Sequence, residues 1–214
     1  MCIVFLAISQ NPQEDGYKVI IAMNRDEYFN RPTKPAQLYK GKPDIIAGFD
    51  MCSGSDGATW LGISKTGRVG ILTNYRQSDK FIKPGAKGRA ELVTNFLKSH
   101  DSPDNYLKKL TKEVYKGFNL IVGSILSADV ADAMDFGYYC NEENKPQEKL
   151  KPGVHAISNR YLNYGWMKVS LGKKRFKEII QQKCPVITKA NMLLEMLQNK
   201  TVYPDDELFL GPQD

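Results

Sequence analysis

Histidines and long apolar runs are scarce in this chain of 214 residues. It has two histidines, and its four cysteines (Cys2, Cys52, Cys140 and Cys184) form no C-x-x-C pair, so no metal site is expected. No apolar stretch reaches the roughly 18 residues that a membrane-spanning helix needs. The chain also lacks the Walker A, G-x-S-x-G, H-E-x-x-H and G-x-G-x-x-G patterns. These absences disfavour an NTPase, a serine hydrolase, a zincin and a dinucleotide-binding enzyme.

The N-terminal residues and the cysteines indicate the compartment. Residues 3–8 (IVFLAI) are apolar, but no basic residue precedes them and the run is too short for the apolar region of a signal peptide. The first arginine is Arg25, which argues against an Arg-rich transit peptide. Because the cysteines lie far apart, the sequence predicts a reduced, cytoplasmic protein.

The charge balance is mildly basic. Thirty lysines and arginines stand against 24 aspartates and glutamates, which gives a net charge of +6. The basic residues are scattered, as on a solvated surface, and no nucleic-acid recognition motif accompanies them. We therefore expect no nucleic-acid partner, although phosphate-bearing ligands or anionic lipids would be attracted weakly.

Hydrophobic patterns and turn residues predict an α+β protein with a single domain over residues 1–214. Residues 2–8 and 17–23 are predicted to form a buried antiparallel pair, and residues 60–64 and 68–73 a hairpin that turns at Gly67. Between these pairs, Pro32 and Pro35 predict an irregular loop. Further strands are predicted at residues 118–125, 133–139 and 154–158, and residues 145–152 are predicted to be a loop.

Four helices are predicted. The first covers residues 91–98, and the second begins at the N-cap Ser102 and extends through Val114 to a stop at Gly117. The third covers residues 167–182, where Gly172 should weaken it, and the last covers residues 188–198. Strand pairs on either side of helix pairs favour helices packed on antiparallel sheets.

Cys2 has two interpretations. Removal of Met1 would leave Cys2 with a free α-amine of pKa about 7.7 beside its thiol, so one residue would supply both base and nucleophile. Alternatively, Cys2 is a small apolar residue at the start of a buried strand.

Polar residues follow three predicted strands. Asn24, Arg25, Asp26 and Glu27 form the NRDE tetrad, which either binds a ligand or closes on itself as a salt-bridge cluster. Asn74 and Asn159 end two later strands, where an amide can donate to an oxyanion or cap a turn. Trp60 is predicted to be a core residue or a pocket wall.

Seven separated motifs resemble one family. They are Met1-Cys2-Ile3, the NRDE tetrad with Tyr28 and Arg31-Pro32, TWLGIS from Thr59, LTNY from Leu72, GRAELV from Gly88, GFNL from Gly117, and Pro152-Gly153 with Ser158-Asn159. The chain is similar to the Transport and Golgi organization protein 2 family, also called the NRDE family. That family resembles cysteine-type N-terminal nucleophile hydrolases such as penicillin V acylase, bile-salt hydrolase and acid ceramidase.

The resemblance implies a four-layer αββα sandwich and two functional alternatives. One is a non-catalytic carrier involved in Golgi and ER organisation, haem mobilisation and lipid homeostasis, with Golgi and mitochondrial association and peripheral membrane contact. It would bind haem or fatty acyl-CoA through the NRDE tetrad, Trp60 and Arg89, and would require no cofactor. The other is an amidohydrolase in which Cys2 is the nucleophile and Asp26, Asn74 and Asn159 assist.

Two features depart from the resemblance. The hydrolases usually have two residues between the arginine and the aspartate, whereas Arg25 and Asp26 are adjacent. Family members also continue into further strands, so we expect this chain to be shortened at its C-terminus. If the carrier or the hydrolase is correct, Cys2 and the tetrad should line one shared cavity between stacked layers.

Overall fold

The computed structural model describes residues 2–12, 16–39, 41–52, 57–126, 134–143 and 146–204. Its strands are β1 (Ile3–Ile8), β2 (Val19–Asn24), β3 (Thr33–Tyr39), β4 (Lys42–Asp50), β5 (Leu61–Ser64), β6 (Arg68–Asn74), β7 (Phe118–Ser124), β8 (Asp135–Cys140), β9 (Glu148–Lys149) and β10 (Gly153–Ile157). Its α-helices are α1 (Leu92–Lys98), α2 (Pro103–Leu110), α3 (Met167–Ile180) and α4 (Val186–Leu197).

The strands form two antiparallel sheets. The smaller sheet has the order β10-β1-β2, and the larger runs β3-β4-β5-β6-β7-β8-β9. Helices α3 and α4 cover the outer face of the smaller sheet, and α1 and α2 cover that of the larger. The predicted αββα sandwich is confirmed, and so are the β1–β2 pair and the β5–β6 hairpin, whose Gly67 has a φ of +77°.

The alternation of side chains along β1 explains the layering. Val4 and Leu6 are buried between the two sheets, whereas Phe5 points to the opposite side and packs with the α3–α4 layer. A strand buried on both faces is apolar throughout, as the run IVFLAI is. Each such side chain contributes about 1.5–3 kcal/mol by leaving water.

The second helix is shorter than predicted. The cap is confirmed, because the Ser102 hydroxyl accepts a hydrogen bond from the backbone N–H of Asn105. However, α2 ends at Leu110, and Val114 is 45% exposed. The helix stops because the chain around Val114 takes an extended path, in which its carbonyl accepts a hydrogen bond from the backbone N–H of Lys87.

The loop predicted from Pro32 and Pro35 is partly wrong, because Pro35 lies within β3. β3 is the edge strand of the larger sheet, and its pairing with β4 shifts between Lys34 and Gln37. An edge strand with such an irregularity tolerates a residue that has no N–H to donate. Strand β9 likewise lies within the predicted loop 145–152, of which Lys145 is outside the described residues.

Gly172, predicted to weaken the third helix, lies within the continuous helix α3. A Cβ atom at this position would lie 2.8 Å from Cε1 of the Phe5 ring and closer still to its Cζ. Glycine therefore allows α3 to approach β1, and the packing offsets the low helix propensity of glycine. The residues after Pro204, on which the expectation of a shortened C-terminus depends, lie outside the described residues.

Within the described part of the chain, the helices fall short of the length and apolarity that a transmembrane segment requires.

Candidate functional site

The NRDE tetrad is divided between the two faces of the smaller sheet. The Asn24 amide donates to the carbonyl of Leu197 at the end of α4, at 2.6 Å. Arg25 lies on the opposite side, where its guanidinium donates to Asp50 at 2.9 Å and stacks 4.0 Å from the centre of the Trp60 ring. Asn24 is the last residue of β2 and Arg25 is the first residue after it, and their partners lie on opposite sides of the sheet, so these contacts do not place the whole tetrad in one cavity.

On the side of the sheet where Arg25 lies, the Asp50 carboxylate accepts several hydrogen bonds. Its carboxylate also accepts hydrogen bonds from the Arg31 guanidinium at 2.9 Å and from the backbone N–H of Cys52 at 2.9 Å. Burial opposes ionisation, but the hydrogen bond from Arg31 and that from the Cys52 N–H outweigh it, so the pKa of Asp50 is lowered. Glu27 reaches the same arginine, with 3.7 Å between its carboxylate and Arg31.

Asp50 is a site residue that was not identified from the sequence, although the sequence contains a signal for it. Asp50 ends the strand of residues 42–50, and a carboxylate that follows an apolar strand needs a partner. The arginines it binds lie 25 and 19 residues away, so their pairing depends on the fold.

Cys2 lies on the same side of the smaller sheet as Arg25. It is partly buried, and its carbonyl accepts a hydrogen bond from the Ser158 hydroxyl at 2.8 Å. Burial raises the pKa of the Cys2 thiol, while a hydrogen bond from the Asp26 backbone and the charge of Arg25 lower it in part. The Cys2 thiol therefore lies within reach of the Arg25 charge, whereas the Asp26 residue is exposed.

Asn74, Asn159 and Arg89 also lie close together near Cys2. The Arg89 Nε donates to the Asn74 side-chain oxygen at 2.6 Å, and the Asn159 amide donates to the Asn74 carbonyl at 2.7 Å. Burial lowers the pKa of the Arg89 guanidinium, and the nearby Cys2 thiol opposes this shift. The ends of β1, β6 and β10 thus bring Cys2, Asn74, Arg89 and Asn159 together.

A groove of about 840 Å³ lies on the other face, between the smaller sheet, α3 and α4. We call it the α3–α4 groove. Its lining comprises Ile3, Phe5, Asn24, Asp26, Ser158, Lys168, Leu171, Gly172, Arg175, Met192, Glu195, Met196, Leu197 and residues 198–203. Asn24 and Asp26 are the tetrad members that line it, whereas Arg25, Glu27, Trp60, Arg89 and Cys2 are outside this lining.

The groove combines apolar walls with charged edges. Phe5, Leu171 and Met196 are apolar, and Lys168 and Arg175 are cationic residues of α3. Among the described residues, no group of three or more His, Cys, Asp or Glu side chains is placed so that it could hold a metal ion.

Comparisons with known proteins agree with this fold. A family model described as Transport and Golgi organisation 2 matches residues 1–212. The Transport and Golgi organization 2 homolog of Mus musculus is 39% identical over 205 residues, which cover 94% of this chain and 72% of the relative. The Drosophila melanogaster protein is 31% identical over 222 residues, covering 97% and 76%.

A solved structure shares the architecture. It is the Caenorhabditis elegans ortholog of an N-acylethanolamine-hydrolyzing acid amidase, with a TM-score of 0.58 and 11% identity over 95% of this chain and 88% of that one. At this identity the likeness concerns the fold alone. From the family model and the relatives, the chain belongs to the Transport and Golgi organisation 2 family.

Proposed function

We propose that the protein is a non-catalytic carrier that binds an amphipathic anion, haem or fatty acyl-CoA, in the α3–α4 groove beside Asn24 and Asp26. The names of its relatives connect them with the Golgi, and we extend that role to this chain, together with ER organisation, lipid homeostasis, haem mobilisation and mitochondrial association. The observation that carries the proposal is one groove with both apolar walls and cationic edges.

The size and the walls of the groove suit an acyl chain. Ligand sites commonly measure about 300–1,000 Å³ and are mostly apolar, and this groove measures about 840 Å³. Phe5 and Leu171 provide rigid apolar contacts, while Met192 and Met196 have flexible side chains that adapt to a chain of variable length.

The charges give the ligand a direction. Lys168, Arg175 and Lys200 line the groove and would bind a phosphate or carboxylate group. Asp26 and Glu195 would repel an anion, so we expect the anionic end to lie toward α3, away from Asp26.

Acyl-CoA suits this lining better than haem does. Haem proteins usually bind the iron through histidine, cysteine, methionine or tyrosine. Here Met192, Met196 and Tyr203 are the groups of these types in the described lining, with neither histidine nor cysteine. We therefore expect haem to bind more weakly than palmitoyl-CoA.

The test is a titration of the purified chain with palmitoyl-CoA, CoA and haem. Met196→Trp fills the groove, and Arg175→Glu reverses one cationic edge. Lys174→Glu is the matched control, because Lys174 is an exposed residue of the same helix outside the groove lining. We expect micromolar binding of palmitoyl-CoA that both groove variants weaken at least about tenfold, a loss of about 1.4 kcal/mol, and that the control keeps. Binding that Met196→Trp leaves unchanged would remove the groove from the proposal.

The second candidate is a cysteine amidohydrolase, which the cluster of Cys2, Arg25, Asn74 and Asn159 favours. It requires Cys2 to carry a free α-amine after Met1 is removed. Intact-mass measurement and N-terminal sequencing test this directly. A retained methionine or an acetylated terminus would exclude the hydrolase and leave the carrier unaffected.

A further inference from the structure

The net charge of the chain is concentrated in the α3–α4 layer. Residues 167–203 contain eight lysines and arginines and two glutamates, which equals the net charge of +6 of the whole sequence. Of the two glutamates within residues 167–203, Glu178 lies 3.4 Å from Arg175. On the α1–α2 side, by contrast, Lys87, Lys108 and Lys109 form ion pairs with nearby carboxylates.

Some cations of this layer serve the fold. The buried Lys189 donates from Nζ to the carbonyls of Ile180 and Gln182 at the end of α3. Lys173 donates to the side-chain oxygen of Asn163 at 2.8 Å. Lys174, Lys177 and Lys183 are exposed and face solvent along the outside of α3 and the connection to α4.

Apolar side chains project beside these lysines at the connection between the two helices. Val186 and Ile187 are the first two residues of α4, and they are 62% and 66% exposed. Lys183 lies three residues before Val186, and Lys177 is in the last turn of α3. We call Lys177, Lys183, Val186 and Ile187 the α3–α4 tip.

We propose that the α3–α4 tip docks the protein on an anionic lipid bilayer. Lysines beside exposed branched apolar residues match an interface where lipid phosphates lie directly above acyl chains. An acidic protein surface would attract the lysines but would gain less from Val186 and Ile187, so the pairing of both residue types favours a membrane.

The tip is distinct from the proposed ligand site. The groove is lined by Lys168, Leu171, Gly172 and Arg175 of α3 and by the C-terminal half of α4, whereas the tip is at the opposite end of the helix pair. Membrane docking can therefore fail while ligand binding in solution persists, and the reverse also holds.

The experiment measures sedimentation of the full chain with vesicles. Phosphatidylcholine vesicles with about 30 mol% phosphatidylserine are compared with pure phosphatidylcholine, at low and at high salt. The variants are Lys177→Gln/Lys183→Gln and Val186→Ser/Ile187→Ser, and the control is Lys112→Gln/Lys116→Gln, which changes the net charge equally at exposed positions beyond α2.

We expect the wild type to bind the phosphatidylserine vesicles at low salt and not the neutral ones. Neutralising the two tip lysines should weaken binding roughly 25-fold, about fivefold for each, and the serine variant should weaken it about tenfold. The control should match the wild type.

Three results would overturn the proposal. The first is no sedimentation of the wild type with the anionic vesicles at low salt. The second is an equal loss in the tip and control lysine variants, which would assign binding to overall charge. The third is normal vesicle binding by the serine variant together with competition by soluble polyglutamate, which would assign the tip to an acidic protein partner.

Discussion

Replacing Gly172 with alanine tests the contact that positions α3 against β1. In an open helix position, the change from glycine to alanine stabilises by about 1 kcal/mol. Here the added Cβ would lie 2.8 Å from Cε1 of Phe5. That ring cannot move aside easily, because it is buried and stacks on the fully buried Phe176 with 5.7 Å between ring centroids.

The clash should exceed the gain in propensity. Overpacking a dense core costs about 1–3 kcal/mol, and a buried aromatic ring stacked on a second one places this site at the upper end of that range. We therefore expect Gly172→Ala to lower the free energy of unfolding by about 1–2 kcal/mol, and the midpoint temperature by roughly 2–8 °C. Urea denaturation followed by circular dichroism gives the first quantity, and a thermal scan the second.

A control and a double-mutant cycle make the assignment specific. Ser170 is exposed on the same helix, so Ser170→Ala should raise stability by about 0.5 kcal/mol. In a Phe5→Leu background the ring is gone, and Gly172→Ala should become neutral or stabilising. If Gly172→Ala stabilises the wild type as Ser170→Ala does, the close approach of α3 and β1 is not the reason for the glycine.

Three further predictions concern charged and titratable groups. Asp50→Asn should cost about 3 kcal/mol at neutral pH, since it leaves two arginines facing a neutral amide. Because the fold lowers the pKa of Asp50, the difference in unfolding free energy between the wild type and Asp50→Asn should persist above about pH 4 and shrink as pH falls further. A difference that stays constant in urea titrations down to about pH 2 would contradict the ion pairs of Asp50 with the two arginines. Arg68→Lys should cost about 1–2 kcal/mol, because lysine cannot reproduce the guanidinium fork on the Phe96 carbonyl; a melting curve equal to the wild type would refute this. At pH 8, iodoacetamide should label Cys2 more slowly in the native chain than in urea, and the labelling rate of the native chain should still rise above about pH 9. A native labelling rate, measured by peptide mass mapping, that reaches a plateau by about pH 8 would contradict the raised pKa of the Cys2 thiol.

The elements predicted correctly depend on local rules. Ser102 identifies the start of α2 because its hydroxyl bonds an N–H three residues away, and Gly67 identifies a hairpin because the turn needs a positive φ. The elements missed depend on distant partners. Pro35 is compatible with a strand only because β3 is at the edge of a sheet, and Val114 leaves the helix because its backbone pairs with Lys87.

The candidate site shows the same division. The position of the tetrad at the end of β2 follows from the sequence, whereas the proximity of the Arg25 charge to the Cys2 thiol depends on the fold. Asp50 is joined to Arg25 only through the packing of the two sheets. The charge pattern alone cannot identify which carboxylate an arginine binds when several are available.

The opposite orientations of Asn24 and Arg25 change how variants of the tetrad should be interpreted. Asn24 faces α4 and the groove, whereas Arg25 faces Asp50 and Cys2 across the sheet. A variant of Arg25 therefore perturbs a structural ion pair and the environment of the thiol, and loss of function in that variant does not by itself identify a ligand contact. A variant of Asn24 perturbs the groove while Asp50 keeps both arginines. In the described part of the chain the two side chains bind different partners, so a double-mutant cycle of Asn24 and Arg25 measures how strongly the two faces of the sheet are coupled through the backbone that joins them.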